Sequence, residues 1–137
     1  MRQYLNQKKL FSNIECYHFG SLDNGLLAVE GKLVRGIKIE EGEKAVNEEL
    51  EKLKNEMVNE AELQKVKNKT ESTIAFEDMS VMNRANSLAF YELLGNAELM
   101  NQELEKYNAI TTEDILNESR NIFKEENSNT LYYYSKN

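Results

Sequence analysis

Helical periodicity fills the middle of this chain and strand-like segments lie toward its two ends, an arrangement that leaves few folds open. After Gly42, Val46, Leu50, Leu53 and Met57 recur at i, i+4, i+7 and i+11, with Glu and Lys on the other faces. A second helix starts at Asn59 as N-cap, with Glu62 three residues on and Val58 placed to staple against Leu63. Its buried stripe continues through Val66, Thr70 and Ile74. A third runs from Ser80 to Leu94 with Val81, Ala85, Leu88 and Ala89 inward and Gly95-Asn96 as its stop. Residues 97–107 form a short fourth helix ending at Tyr107. The fifth opens at Thr111, with Asp114 at N3 and an Ile110–Ile115 staple, and ends near Glu126. No proline interrupts this run.

The strand signals differ in kind. Tyr, Phe, Ile and Cys crowd between Asn13 and Phe19, which ends at Gly20-Ser21, and Leu26 to Val34 forms a second apolar run. Between them Asn24-Gly25 supplies residues that tolerate positive φ in a turn, so the pair is expected as an antiparallel hairpin. Gly31 and Gly36 mark a bulge or bend at its end. Thr130 to Ser135, with three successive tyrosines, reads as a closing strand. Tyr4, Leu5 and Leu10 are spaced like the end of a helix, either a short terminal helix or part of something larger. The predicted order is β-β-α-α-α-α-α-β, an α+β architecture with helices layered on one face of a largely antiparallel sheet. A length of 137 residues suits one domain of the usual size, about 100–200 residues.

Composition removes several function classes. With 17 Lys+Arg against 24 Asp+Glu, the net charge of −7 opposes sequence-independent attraction to nucleic acid or to an anionic membrane. No apolar run approaches the roughly 20 residues of a membrane span, and the first residues do not form a signal peptide. A single cysteine rules out an internal disulfide and the multi-cysteine zinc modules, and a single histidine rules out every two-histidine metal motif.

Few residues suggest chemistry. Cys16 and His18 share one face of a strand, but two ligands do not make a metal site, and a packed thiol beside an ordinary histidine is the simpler reading. Glu40, Glu41, Glu43, Glu48, Glu49 and Glu51 lack the alternating oxygen ligands of a calcium loop and read as solvated faces. Tyr132, Tyr133 and Tyr134 suit packing against helices better than base stacking. Gly20, Gly25 and Gly31 form no phosphate loop.

Four segments in order resemble one family. Glu60-Ala61-Glu62-Leu63-Gln64-Lys65-Val66-Lys67 resembles a helix start of the insulinase/pitrilysin-type zinc peptidases, which include the mitochondrial processing peptidases. Upstream, Gly36 with Ala45, Leu50 and Leu53 is similar to a segment of the same family. Downstream, Arg84-Ala85, Leu88-Ala89, Tyr91 and Gly95 resemble its "r-A-x-x-L-a-x-y-x-x-x-G" helix, and Tyr107 through Ile115 resembles its "y-x-x-V-T-x-e-D-v" element. The likeness covers roughly residues 10 to 135.

The resemblance implies a specific division of labour. In that family the zinc is held by an H-x-x-E-H helix in an N-terminal lobe, and a C-terminal lobe of the same fold has lost it. This chain cannot contain that motif. Residues 1–137 would then be a single partial domain, the back portion of a C-terminal lobe, with no cofactor of its own and zinc in the partner lobe. It would be inactive alone and help to form a substrate chamber. Its implied partners are a zinc-bearing lobe or subunit, a peptide substrate and a second copy of itself, without nucleic acid or membrane. The family's substrate-binding arginine and tyrosine would fall near Leu10 to Phe19, where Tyr17 stands for the tyrosine and no arginine precedes it. Two alternatives remain: a protein-interaction module with no peptidase context, and a binder of small ligands between sheet and helices.

Overall fold

The computed structural model describes residues 9–20 and 24–134. The elements are β1 (Phe11–Phe19), β2 (Leu26–Leu33), α1 (Ile39–Asn55), α2 (Glu60–Glu77), α3 (Val81–Leu93), α4 (Leu99–Ala109), α5 (Thr112–Ile122) and a 3-10 turn at Glu125–Asn127. This is the expected α+β class. The chain divides into two compact units, one of residues 1–55 and 122–137, the other of residues 56–121.

In the first unit β1 and β2 pair antiparallel, from Phe19 opposite Leu26 to Phe11 opposite Leu33. The register slips between Phe11 and Asn13, which face Leu33 and Lys32, so Ser12 is an extra residue. The Ser12 hydroxyl donates to the Lys32 carbonyl at 3.0 Å. This bulge has a consequence for packing. Strict alternation would put Phe11 and Ile14 on opposite faces; with one residue inserted, both are buried on the same face. Alternation in β1 is therefore blurred in the sequence because the strand is irregular where its core residues lie. The irregularity sits on β1, not at Gly31, which pairs regularly with Ile14.

Helix α1 packs on that face. Ala45 joins Phe11 and Ile14 in the core, with Val29, Leu33 and Val46 around them. Two glycines make the approach close enough. A Cβ on Gly31 would stand 2.7 Å from Phe11 Cε1, and one on Gly42 would stand 2.5 Å from Leu33 Cδ2 and 3.3 Å from Phe11 Cζ. The Phe11 ring thus lies between a strand glycine and a helix glycine. Gly42 is not the boundary that precedes the helix but a contact residue in its first turns, and α1 begins at Ile39 with Glu41 and Gly42 N–H groups donating to the Lys38 carbonyl. Met57, expected on the helix stripe, lies past its end and is exposed.

In the second unit the helix boundaries follow their caps. Asn59 Oδ1 accepts from Ala61 N at 2.8 Å, and Ser80 Oγ from Asn83 N at 3.3 Å. Thr111 and Asp114 cap each other: Thr111 N donates to Asp114 Oδ2 at 2.8 Å and Asp114 N donates to Thr111 Oγ1 at 3.1 Å. Helix α3 ends in a Schellman turn, with Asn96 N bonded to Tyr91 O, Gly95 N to Glu92 O, and Gly95 at φ 99°. Lys67 Nζ ties α2 to the end of α4 through the Asn108 carbonyl at 2.8 Å.

The apolar stripes are less well covered than their periodicity suggests. Leu63 is buried, yet Val66, Val81 and Leu88 are exposed, Val81 at 83%, and so are Ala85 and Ala89. Periodicity shows which face would gain from burial but not what covers it. The last helix stops at Ile122, short of Glu126. Thr130–Tyr134 form no strand: aromatic and β-branched residues favour a ladder, but a ladder needs a paired neighbour. The expected helix end near Tyr4 and Leu5, the Ser21–Asp23 part of the hairpin connection and Ser135 lie outside the described residues.

Candidate functional site

Helix α1 packs on the Phe11/Ile14 face of the hairpin, and among the described residues no other helix of this unit covers the opposite face. Alternation along β1 and β2 puts Glu15, Tyr17 and Phe19 there, with Glu30, Ala28 and Leu26 directly opposite them. The Tyr17 hydroxyl donates to Glu30 Oε2 at 3.1 Å, one rung along the ladder. Its ring meets Phe19 edge to face, with centroids 5.0 Å apart. The hydrogen bond to Glu30, partial burial and the Glu30 and Glu15 charges together hold the phenol above its ordinary value. Tyr17 therefore stays protonated as a donor throughout the neutral range. Phe19 and Leu26 are more than half exposed. The face is an aromatic, apolar strip with two carboxylates opposed at one end.

Sequence reasoning singled out Tyr17 and left Glu30 without a role. Its relevance depends on register, which pairs it with Glu15 and sets it diagonal to Tyr17. Asn24-Gly25 marks the connection but does not fix its length, and Gly25 is outside the left-handed region. Glycine is required there for space instead, since a Cβ would meet the His18 ring and stand 2.6 Å from the Phe19 carbonyl oxygen.

The other candidates stay apart. Cys16 and His18 lie on the α1 side of the sheet. Burial pushes the Cys16 thiol above its ordinary value, which weakens it as a nucleophile at neutral pH. Among the described residues no three His, Cys, Asp or Glu side chains converge so as to hold a metal, so the residues present do not fit a zinc ion. Glu40 and Glu41 occupy the first turn of α1, where the helix dipole favours acids. Glu49 and Glu51 pair with Lys52 and Lys54 at 2.6 and 2.5 Å on the helix surface. Tyr132 is hydrogen-bonded to Glu43 of α1, which raises its phenol, while Tyr133 is 88% exposed. No helix among the described residues is long and apolar enough to cross a membrane.

Solved structures share this fold. A protease from Helicobacter pylori superposes with a TM-score of 0.75 at 21% identity, over 87% of this chain and 29% of its own. A protein from Bordetella pertussis assigned to the zinc proteases gives 0.75 at 18% identity, over 88% of this chain and 67% of its own. The inactive peptidase domain of a zinc protease assigned in Bordetella parapertussis gives 0.76 at 17% identity, over 87% of this chain and 64% of its own. This chain thus spans under a third of the Helicobacter protease and about two thirds of the Bordetella chains. No curated protein sequence matches it. The model of the family described as the peptidase M16 inactive domain matches residues 1–70, just over half of the 137 residues. The chain belongs to the peptidase M16 inactive-domain family.

Proposed function

We propose that this chain is the back portion of a non-catalytic C-terminal lobe of a zinc-dependent peptidase, with residues 1–137 forming one partial domain of it. It helps to enclose a peptide substrate while a separate zinc-bearing lobe or subunit performs the hydrolysis. Membership of an inactive-domain family, in a chain whose one histidine is His18, supports the division between lobes. The observation that carries the chamber reading is the hairpin face with Tyr17, Phe19 and Glu30 that α1 does not cover, because a phenol oxygen that can still accept, held in place by Glu30 beside an aromatic strip, suits contact with a peptide backbone. Tyr17 is the residue assigned to touch substrate.

The chain alone should hydrolyse no peptide and hold no stoichiometric zinc. Mixed with the zinc-bearing lobe of the same polypeptide or of the adjacent coding sequence, it should raise that lobe's cleavage of a quenched fluorescent peptide. Tyr17→Phe should lower the gain chiefly through KM. A zinc lobe equally active with and without this chain would overturn the reading.

A further inference from the structure

We propose that Asn24-Gly25, in the connection between β1 and β2, is a self-modifying site: Asn24 loses its side-chain nitrogen as ammonia through a cyclic imide formed with Gly25, and the His18 imidazole carries the proton. The inference is independent of the chamber reading above and needs no ligand, metal or partner.

The sequence confines the reaction to one place. Asn24 is the only asparagine of the chain that is followed by glycine. In any asparagine the side-chain carbonyl carbon can close a five-membered ring with the next backbone nitrogen, and such a tethered pair reacts as if at very high concentration. Two things normally hold the attack back: a side chain on the following residue, which crowds the nitrogen, and a regular backbone, which fixes both peptide planes. Glycine removes the first. The position removes the second, since Asn24 and Gly25 are exposed and lie between the strands, outside any helix or strand. By contrast, Asn47, Asn68, Asn86 and Asn101 stand inside helices and precede residues that carry side chains.

The fold supplies a base. A Cβ on Gly25 would collide with His18 Nε2 and stand 3.1 Å from its Cε1, so the ring nitrogen lies within about 4 Å of the Gly25 Cα. A Cβ on Gly20 would stand 3.7 and 3.8 Å from Cε1 and Nδ1 of the same ring. The imidazole thus lies over the two glycines at the connected end of the hairpin, and the nitrogen that must lose its proton is one bond from the Cα it borders. A base so placed reaches that proton directly or through one water, and imidazole is the side chain that takes up and releases protons near neutral pH. The same contact keeps glycine in the reacting step, because any Cβ at position 25 would displace the ring and meet the Phe19 carbonyl oxygen at 2.6 Å.

The Gly25 N–H proton passes to the imidazole as the nitrogen bonds to Asn24 Cγ. The Cγ–Nδ2 bond then breaks, and the leaving nitrogen takes that proton and departs as ammonia. Water opens the imide at either of its carbonyl carbons. Opening at Cγ leaves an ordinary aspartate at position 24, and opening at the backbone carbonyl carbon leaves an isoaspartate, whose main chain is longer by one carbon. The balance is one water in and one ammonia out, with nothing oxidised or reduced. Either product adds a negative charge to the connection, and the iso form lengthens it where the hairpin register is set.

The test incubates the folded chain at neutral pH and follows each asparagine by peptide mapping with mass spectrometry, separating aspartyl from isoaspartyl peptides by chromatography. Asn24 should convert about tenfold or more faster than any other asparagine, with both products at position 24. His18→Gln should slow it about fivefold, well below the roughly 10²–10⁴-fold of a fully positioned base, because the ring borders Cα instead of pointing at the N–H. Added imidazole should restore much of that loss. In concentrated urea, where the ring is no longer held over Gly25, wild type and His18→Gln should convert at the same rate. No isoaspartate at position 24, a rate like that of the other asparagines, an unchanged rate in folded His18→Gln, or the same slowing in urea would overturn the proposal, and the wild-type map decides the site even if the variant folds poorly.

Discussion

The Phe11 ring is held between Gly31 and Gly42, and that contact makes one substitution diagnostic of the sheet–helix packing. Alanine normally suits a strand better than glycine does, yet a Cβ at Gly31 meets the buried ring at 2.7 and 2.9 Å. A rigid ring in a core cannot swing aside as the tip of a long side chain can. Gly31→Ala should therefore destabilise the chain by about 1–3 kcal/mol through overpacking, read as a lower urea midpoint. The loss should shrink when Phe11→Leu frees the space. Tyr91 offers a second residue-scale test. Burial, then a hydrogen bond to Glu103, push its phenol from 10.0 up to about 12. The folded chain thus holds this proton more tightly than the unfolded chain, so the stabilisation is complete below pH 10 and is lost as pH rises from 10 to 12. Tyrosinate absorbance should show one phenol ionising late, and Tyr91→Phe should remove both the late step and that part of the alkaline loss. Neither effect was legible in the sequence, where Gly31 suggested a bend and Tyr91 was only part of a helix pattern.

Helix starts are the elements that sequence showed best, because a cap is local. Asn59, Ser80 and Thr111 each precede a helix by one residue and accept from a backbone N–H inside it. Asn59→Ala and Thr111→Ala should each cost about 0.5–2 kcal/mol, and unchanged midpoints in both would contradict the caps. The Thr111 pair adds a pH signature. The Thr111 hydroxyl and backbone N–H hold Asp114 below its ordinary carboxyl value of 3.8. Its contribution is complete above that value and is lost as pH falls through the depressed one, so Thr111→Ala should flatten the acid end of the stability profile. Strands were less legible than caps. The hairpin was expected from Asn13 to Val34 and occurs, but its bulge at Ser12 and its Glu15–Glu30 pairing are properties of register. A two-residue turn at Asn24-Gly25 would have set Glu15 opposite Val34, and nothing local rejects it. The expected strand at Thr130 failed for the same reason, since pairing is not written in either partner alone.

At the scale of the whole chain, charge and apolar exposure act against each other. Residues 56–121 hold 13 acidic and 6 basic side chains, the entire −7, while the remaining residues hold 11 of each. The same helical unit exposes Phe76, Met79, Val81, Met82 and Leu93 at 68–83%. Each is large and apolar, and three of them lie along α3. Surface of this kind gains free energy when another molecule covers it, and the partner always present is a second copy, which brings an equal negative charge. Repulsion between two such units reaches far in dilute buffer but is screened beyond roughly 8 Å near physiological salt, whereas apolar burial is not weakened by salt. The isolated chain should therefore bind a hydrophobic dye and self-associate at high micromolar concentration, more strongly as salt rises. Sedimentation velocity across a salt series measures this. A strictly monomeric species without dye binding, or association that weakens with salt, would show that the exposed helical residues do not attract a partner.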